Sequence, residues 1–160
     1  MAYIKGRVGG IAQGLDIDLR LEGDTWTGRF GGERIGSNFM LEVRAEHGTG
    51  RVGGEARGFD VHATLVPGKV IARLGGLVGG DDVELEVGPR IHGRFSGHVF
   101  GKDVNLEAVG NALTGITVTG RIGGAVDGKD VHVATNHSGG VAALAAVIAF
   151  KLLEDGAKQG

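Results

Sequence analysis

Two triplets, Asp60-Val61-His62 and Asp130-Val131-His132, set a carboxylate and an imidazole two residues apart. On a β-strand that spacing puts both groups on one face. His98 is expected opposite Asp103 in a similar pairing. Carboxylate beside imidazole is the chemistry of a divalent metal site or of general acid–base catalysis. A metal site needs three or four converging ligands, whereas these pairs belong to different parts of the chain, so no metal site is expected and the pairs read as surface ion pairs. With 0 Cys, the chain has no thiolate zinc site, no cysteine nucleophile and no disulfide framework. It offers no nucleophile with a base held near it, no glycine-rich loop leading into a helix and no carboxylate pair set apart from the rest. No catalytic residue and no cofactor are therefore assigned, and the chain is not expected to be an enzyme.

The elements that position these residues must accommodate an unusual composition. Of 160 residues 33 are Gly, against 2 Pro, 1 Trp and 1 Tyr, where about 7% Gly is usual. A balance of 41% apolar and 22% charged residues argues against a disordered glycine-rich polymer. Gly does not recur at every third position, which excludes collagen. The recurring Gly-Arg-x-Gly-Gly element invites comparison with RNA-binding Arg-Gly segments. Those are disordered and spaced by aromatics, whereas here the alternation is strand-like and the net charge is -2, so no nucleic acid partner is expected.

Self-comparison gives the organisation. Gly-Arg-Val-Gly-Gly at 6–10 returns five more times, with its arginine at Arg7, Arg29, Arg51, Arg73, Arg94 and Arg121, at intervals of 22, 22, 22, 21 and 27. Nine residues after each arginine stands an acid or amide: Asp16, Asn38, Asp60, Asp82, Asp103 and Asp130. The longer last interval falls around Gly110-Asn111, where a surface turn absorbs extra residues with least disruption.

Each unit reads as two strands joined by a two-residue turn ending in Gly: Gln13-Gly14, Ile35-Gly36, Arg57-Gly58, Gly79-Gly80, Phe100-Gly101 and Asp127-Gly128. Folding about these turns sets Val8 opposite Leu19, Phe30 opposite Leu41, Val52 opposite Ala63, Leu74 opposite Leu85, Phe95 opposite Leu106 and Ile122 opposite Val133, all on one face. On the other face the same register predicts cross-strand pairs Arg29–Glu42, Arg73–Glu86 and Arg94–Glu107, and sets Arg7 against Arg20. It also puts Gly10, Gly32, Gly54, Gly76, Gly97 and Gly124 inward, opposite Ile17, Phe39, Val61, Val83, Val104 and Val131.

Six hairpins make twelve antiparallel strands. Neither terminal unit carries the polar cap that an open stack requires, so closure is the simpler inference. Twelve strands close to a radius of about 12 Å, too wide for strand side chains to fill. The run Val141 to Phe150 is apolar on all sides, as a helix surrounded by protein or lipid must be. The expected fold is all-β with one C-terminal helix: a closed twelve-stranded antiparallel barrel of six β-hairpin repeats around an apolar helix. An open solenoidal stack and a flatter sandwich are the alternatives. The single domain spans 1–160, with repeats over 1–137 and the helix over 138–156, Ser138 near its N-cap and Gly156 ending it. The thirteen residues from Val141 to Leu153 fall short of the roughly 20 that a spanning helix needs. The N-terminus shows no apolar signal segment, so a cytoplasmic protein, free or membrane-associated, is expected.

Strand count, the Gly-Arg-x-Gly-Gly element and the run 141–153 together resemble the tubby C-terminal and phospholipid scramblase architecture, a twelve-stranded barrel threaded by an apolar helix. They also resemble bacterial β-flower proteins. The resemblance is architectural and covers nearly the whole chain; no functional residue is carried over. It implies lipid or membrane partners, since tubby domains bind phosphoinositide headgroups and scramblase relatives associate with membranes. The residues themselves add a second pointer. The tips contain Ile11, Ile35, Leu77, Val78, Val99, Phe100 and Val126, more apolar side chains than solvated turns need. A closed barrel would gather them on one rim, as a lipid or membrane-surface binding module or as the contact of a self-associating scaffold, a homo-oligomer.

Overall fold

Alternation of apolar and polar residues at period two generates strands with one buried face. In the computed structural model, which describes residues 1–10, 13–31, 36–54, 58–76, 79–96, 101–124 and 128–159, twelve such strands form. They are β1 (Tyr3–Gly9), β2 (Gly14–Glu22), β3 (Thr25–Gly31), β4 (Gly36–Arg44), β5 (His47–Val52), β6 (Phe59–Val66), β7 (Lys69–Leu74), β8 (Asp81–Val87), β9 (Arg90–Ser96), β10 (Lys102–Asn111), β11 (Gly115–Ile122) and β12 (Lys129–Thr135). One helix, α1 (Gly139–Gln159), follows. Every strand pairs antiparallel with its sequence neighbours, and β12 pairs with β1 from Ile4↔Thr135 to Val8↔Val131, closing the barrel. At this junction Thr135 Oγ1 donates to the Tyr3 carbonyl at 2.7 Å, and Asn136 Oδ1 accepts the Tyr3 N–H at 2.9 Å. Closure leaves no unpaired edge.

The apolar faces fall where the alternation puts them, but the register within each hairpin differs from the expected one. Val8 pairs with Leu15 and Ile4 with Leu19; Phe30 pairs with Ser37, Val52 with Phe59, Leu74 with Asp81, Phe95 with Lys102 and Ile122 with Lys129. In each hairpin the partner on the second strand stands four residues earlier than expected. Because the pairing moves by an even number, every side chain keeps its face.

The expected Arg–Glu pairs are corrected with it. Arg7, Arg51, Arg73, Arg94 and Arg121 lie directly across from Asp16, Asp60, Asp82, Asp103 and Asp130, at 2.7, 2.8, 2.9, 2.9 and 2.7 Å. Arg29 donates to Asn38 Oδ1 at 2.7 Å. The second arm of the guanidinium reaches the chain reversal itself: Arg73 Nη2 donates to the Gly76 carbonyl at 2.8 Å, as Arg7 and Arg51 do to Gly10 and Gly54. Gly75, at φ +105°, turns its chain into a conformation that L side chains rarely adopt, and its N–H donates to the Asp60 carbonyl of the preceding unit at 2.8 Å. Among the described residues the motif is thus a clasp: Arg7, Arg51, Arg73 and Arg121 each hold the glycine carbonyl three residues on, and Gly53, Gly75 and Gly123 each donate to a carbonyl of the preceding unit. Gly10, Gly54, Gly76 and Gly124 lie past the strand ends, not inward as expected; Gly32 and Gly97 lie outside the described residues.

Inward-facing glycines include those just before five of the six arginines, Gly6, Gly28, Gly50, Gly93 and Gly120. Gly50, opposite Val61, is an example: a Cβ there would collide with the Met40 carbonyl oxygen and stand 2.7 Å from Leu41 Cα. Ala72, opposite Val83, shows that the equivalent site one unit on accepts a methyl group. Gly50→Ala is expected to cost about 2–3 kcal/mol in urea denaturation, and Ala72→Gly about 1 kcal/mol. Equal costs would contradict this account of the barrel waist.

Helix α1 fills the bore. Val141 through Phe150 are all buried, five of these ten residues being Ala, which lets strands approach the helix closely. Its backbone lies nearest β1, β2, β11 and β12. The opposite wall compensates with bulk: Trp26 and Phe30 from β3, Phe39 from β4 and Phe59 from β6. Phe95 meets Phe150 edge-on at 5.8 Å. Ser138 begins the helix, its Oγ accepting the Val141 N–H at 3.3 Å. The helix continues past Gly156 to Gln159 instead of ending there; Gly156 is exposed and its added Cβ would meet nothing.

Candidate functional site

The strand ends define two rims. Within-unit connections leave from one, the tip rim; short turns at 23–24, 45–46, 67–68, 88–89 and 112–114 form the other, the turn rim. Ile11, Ile35, Leu77, Val78, Val99, Phe100 and Val126 lie outside the described residues, although the strand ends flanking them all belong to the tip rim. At that rim the C-terminal part of α1 is anchored by charge. Lys151, only 7% exposed, donates to Asp81 at 2.7 Å and faces Asp155 at 3.2 Å, with the Phe59 ring centroid 5.1 Å away. Burial pulls the Lys151 ammonium down, but the Asp81 hydrogen bond and the Asp155 and Asp81 charges outweigh it and hold the pKa above the ordinary lysine value.

The acid–imidazole triplets do not assemble a site. Asp60 and Asp130 are engaged by Arg51 and Arg121, and His62 and His132 are exposed on the outer strand face. Asp103 is held by Arg94, while His98 lies outside the described residues. Among the described residues no three His, Asp or Glu side chains gather as metal ligands.

The turn rim supplies what the sequence reading missed. Because α1 sits toward β1 and β12, space remains on the far side of its first turn and opens as a cleft of about 530 Å³. Leu21, Trp26, Val43, Leu65, Val70 and Val87 make its apolar wall, with Gly139, Gly140 and Val141 at the helix start. Polar groups sit at the lip: Asp24, His137 and Ser138. The His137 ring meets Trp26 edge-on at 5.3 Å. Two further pockets exist, one of about 570 Å³ beside Tyr3, Lys5, Asp18, Leu19, Arg20 and Arg29, the other of about 450 Å³ beside His47, His62, Arg73 and Asp82; the lining of the first is more polar than the cleft's, and the second offers less apolar surface. The cleft was hidden in the sequence because four different units and the helix start contribute to it. The one available signal was the lone tryptophan two residues inside a turn-rim strand end, where a large ring needs a partner.

No family model, curated protein or solved structure matches the chain. The architecture, a closed twelve-stranded antiparallel barrel with one C-terminal helix, is consistent with a tubby-like barrel. No helix among the described residues is long and apolar enough to cross a membrane. The outer strand face carries the arginine–carboxylate pairs, unlike the apolar belt of a barrel that spans a membrane with its strands.

Proposed function

We propose that this protein is a non-catalytic binding module whose turn-rim cleft takes the apolar part of a lipid or similar amphipathic molecule. One observation carries the reading: a cleft of about 530 Å³, apolar along its wall and polar at its lip, has the size and chemistry of small-molecule sites, which run from about 300 to 1,000 Å³. Each methylene withdrawn from water there contributes about 0.8 kcal/mol. Asp16, Asp60 and Asp82 on the outer face serve the arginine clasps, which supports the non-catalytic half of the proposal.

Trp26 is the single tryptophan and lines the cleft, so its fluorescence reports occupancy. Titration with a long-chain fatty acid below its micelle concentration is expected to change Trp26 emission saturably. Leu65→Glu, in the wall, is expected to weaken binding at least about tenfold, or 1.4 kcal/mol, while Ile71→Glu on the exposed outer face leaves it unchanged. An emission spectrum and melting temperature indifferent to the fatty acid would remove the proposal.

A second reading, contact of the tip rim with a membrane surface, is favoured by the strand ends that flank all six tip segments at one end of the barrel. Co-sedimentation with vesicles tests it: wild type is expected to pellet and a Val99→Asp, Phe100→Asp variant to stay in solution. Equal failure of both to pellet removes this reading.

A further inference from the structure

The β10–β11 hairpin breaks the pattern of the repeat. It holds the extra residues of the 27-residue interval, makes β10 the longest strand, and ends in the three-residue turn 112–114. Residues 109–114 are all exposed, Val109 at 67% and Leu113 at 98%. A solvated insertion has no need of a leucine at its apex. Nor has it need of a fixed shape, yet this one is built: Asn111 Oδ1 accepts the Leu113 N–H at 2.9 Å, the Thr114 N–H at 3.0 Å and the Thr114 hydroxyl at 3.2 Å. An apolar side chain presented on a pre-ordered loop loses little entropy on docking.

The hairpin and the cleft share the turn rim, separated by the first turn of α1. A Cβ on Gly139 would face Ala108 at the base of the hairpin and Ile91 on β9 beside it; one on Gly140 would face Val70 and Val87 in the cleft. Any two features on one rim are exchanged by a two-fold axis lying in the plane of that rim, midway between them. Two barrels apposed rim to rim about this axis place each hairpin over the other's cleft, and the arrangement closes without leaving a free knob or hole. Charge agrees with it. Residues 108–120 contain no ionisable side chain, although Glu107 and Arg121 flank them, so the hairpin brings no charge into an apolar wall.

We infer that this protein forms a two-fold dimer in which the Leu113 side chain of each copy enters the turn-rim cleft of the other. The inference does not rest on lipid binding. The dimer and an amphipathic ligand compete for one cleft, so ligand is expected to favour the monomer.

Sedimentation velocity or light scattering from low micromolar to near-millimolar concentration tests this. Wild type is expected to shift from monomer to dimer, and Leu113→Glu to raise the dissociation constant by about 30-fold or more, the weight of a buried interface anchor. At 98% exposure in the monomer, Leu113 can be replaced without disturbing the fold, which an unchanged melting temperature at low concentration verifies. Leu65→Glu damages the hole and leaves the knob. Mixing it with Leu113→Glu restores one intact knob-and-hole contact, so the mixture is expected to associate more strongly than either variant alone. A wild type that stays monomeric throughout, or a dimer that Leu113→Glu leaves intact, overturns the inference. A monomer that still binds fatty acid separates that outcome from failure of the lipid reading.

Discussion

Deleting residues 139–160 is expected to leave a chain with no cooperative thermal transition. Leu144, Val147, Ile148 and Phe150 are each at most 1% exposed, and burying such side chains contributes about 1.5–3 kcal/mol apiece. Four of them supply about 6–12 kcal/mol, comparable to the whole stability of an ordinary domain, about 5–15 kcal/mol. The strands suffer too, because Val8, Leu41, Leu74, Leu106 and Val133, fully or almost fully buried, would line an open bore. Circular dichroism against temperature gives the answer directly. A truncated protein melting at the wild-type temperature would show that α1 contributes nothing to the core. Ile148→Asp should fail in the same way, since it sets an unpaired carboxylate where no water reaches.

The second large effect is at the other end of the helix. Lys151→Met is expected to cost about 3–4 kcal/mol in urea denaturation at neutral pH, because it leaves Asp81, only 17% exposed at its side chain, without its partner. Adding Asp81→Leu should recover most of that loss, since an apolar pair beside Phe59 has no charge to desolvate. A double variant as unstable as the single one would show that Lys151 acts through its packing and not through its charge. The pH dependence has a definite sign. With its folded pKa raised above the unfolded value of about 10.4, Lys151 contributes stability in full below that value and loses it as pH climbs through the folded pKa. Wild type should therefore lose stability above about pH 10.4 relative to Lys151→Met. Lys69 is shifted upward by its hydrogen bond to Glu84 and the Glu86 and Glu84 charges; being present in both proteins, it cancels from the comparison.

The sequence was most informative where parity decides. Alternation along each strand assigned Ile17, Leu41, Val61, Leu85, Leu106 and Val133 to the interior, and they are buried. That assignment survived an error of register because the error was even. The error came from reading Gln13-Gly14 and its counterparts as two-residue turns. The better guide was the acid or amide nine residues after each arginine, since a side chain able to accept from Arg7 or Arg73 must stand directly across from it. The same displacement moves the interior glycines: the partner of Ile17 is Gly6, not Gly10. The cleft was beyond the reach of periodicity, because it depends on which side of the bore the helix favours, and that is settled by the distribution of bulk between β3, β4 and β6 on one side and β1 and β11 on the other.

Six ribbons of one chain close into a ring because β12 pairs with β1 antiparallel, as every other neighbouring pair of strands does. What fixes the width of that ring is the rod it surrounds. The alanine-rich tail of this chain works as a spacer: five small side chains among residues 141–150 let the ribbons close in on it, and a bulkier tail would force them apart.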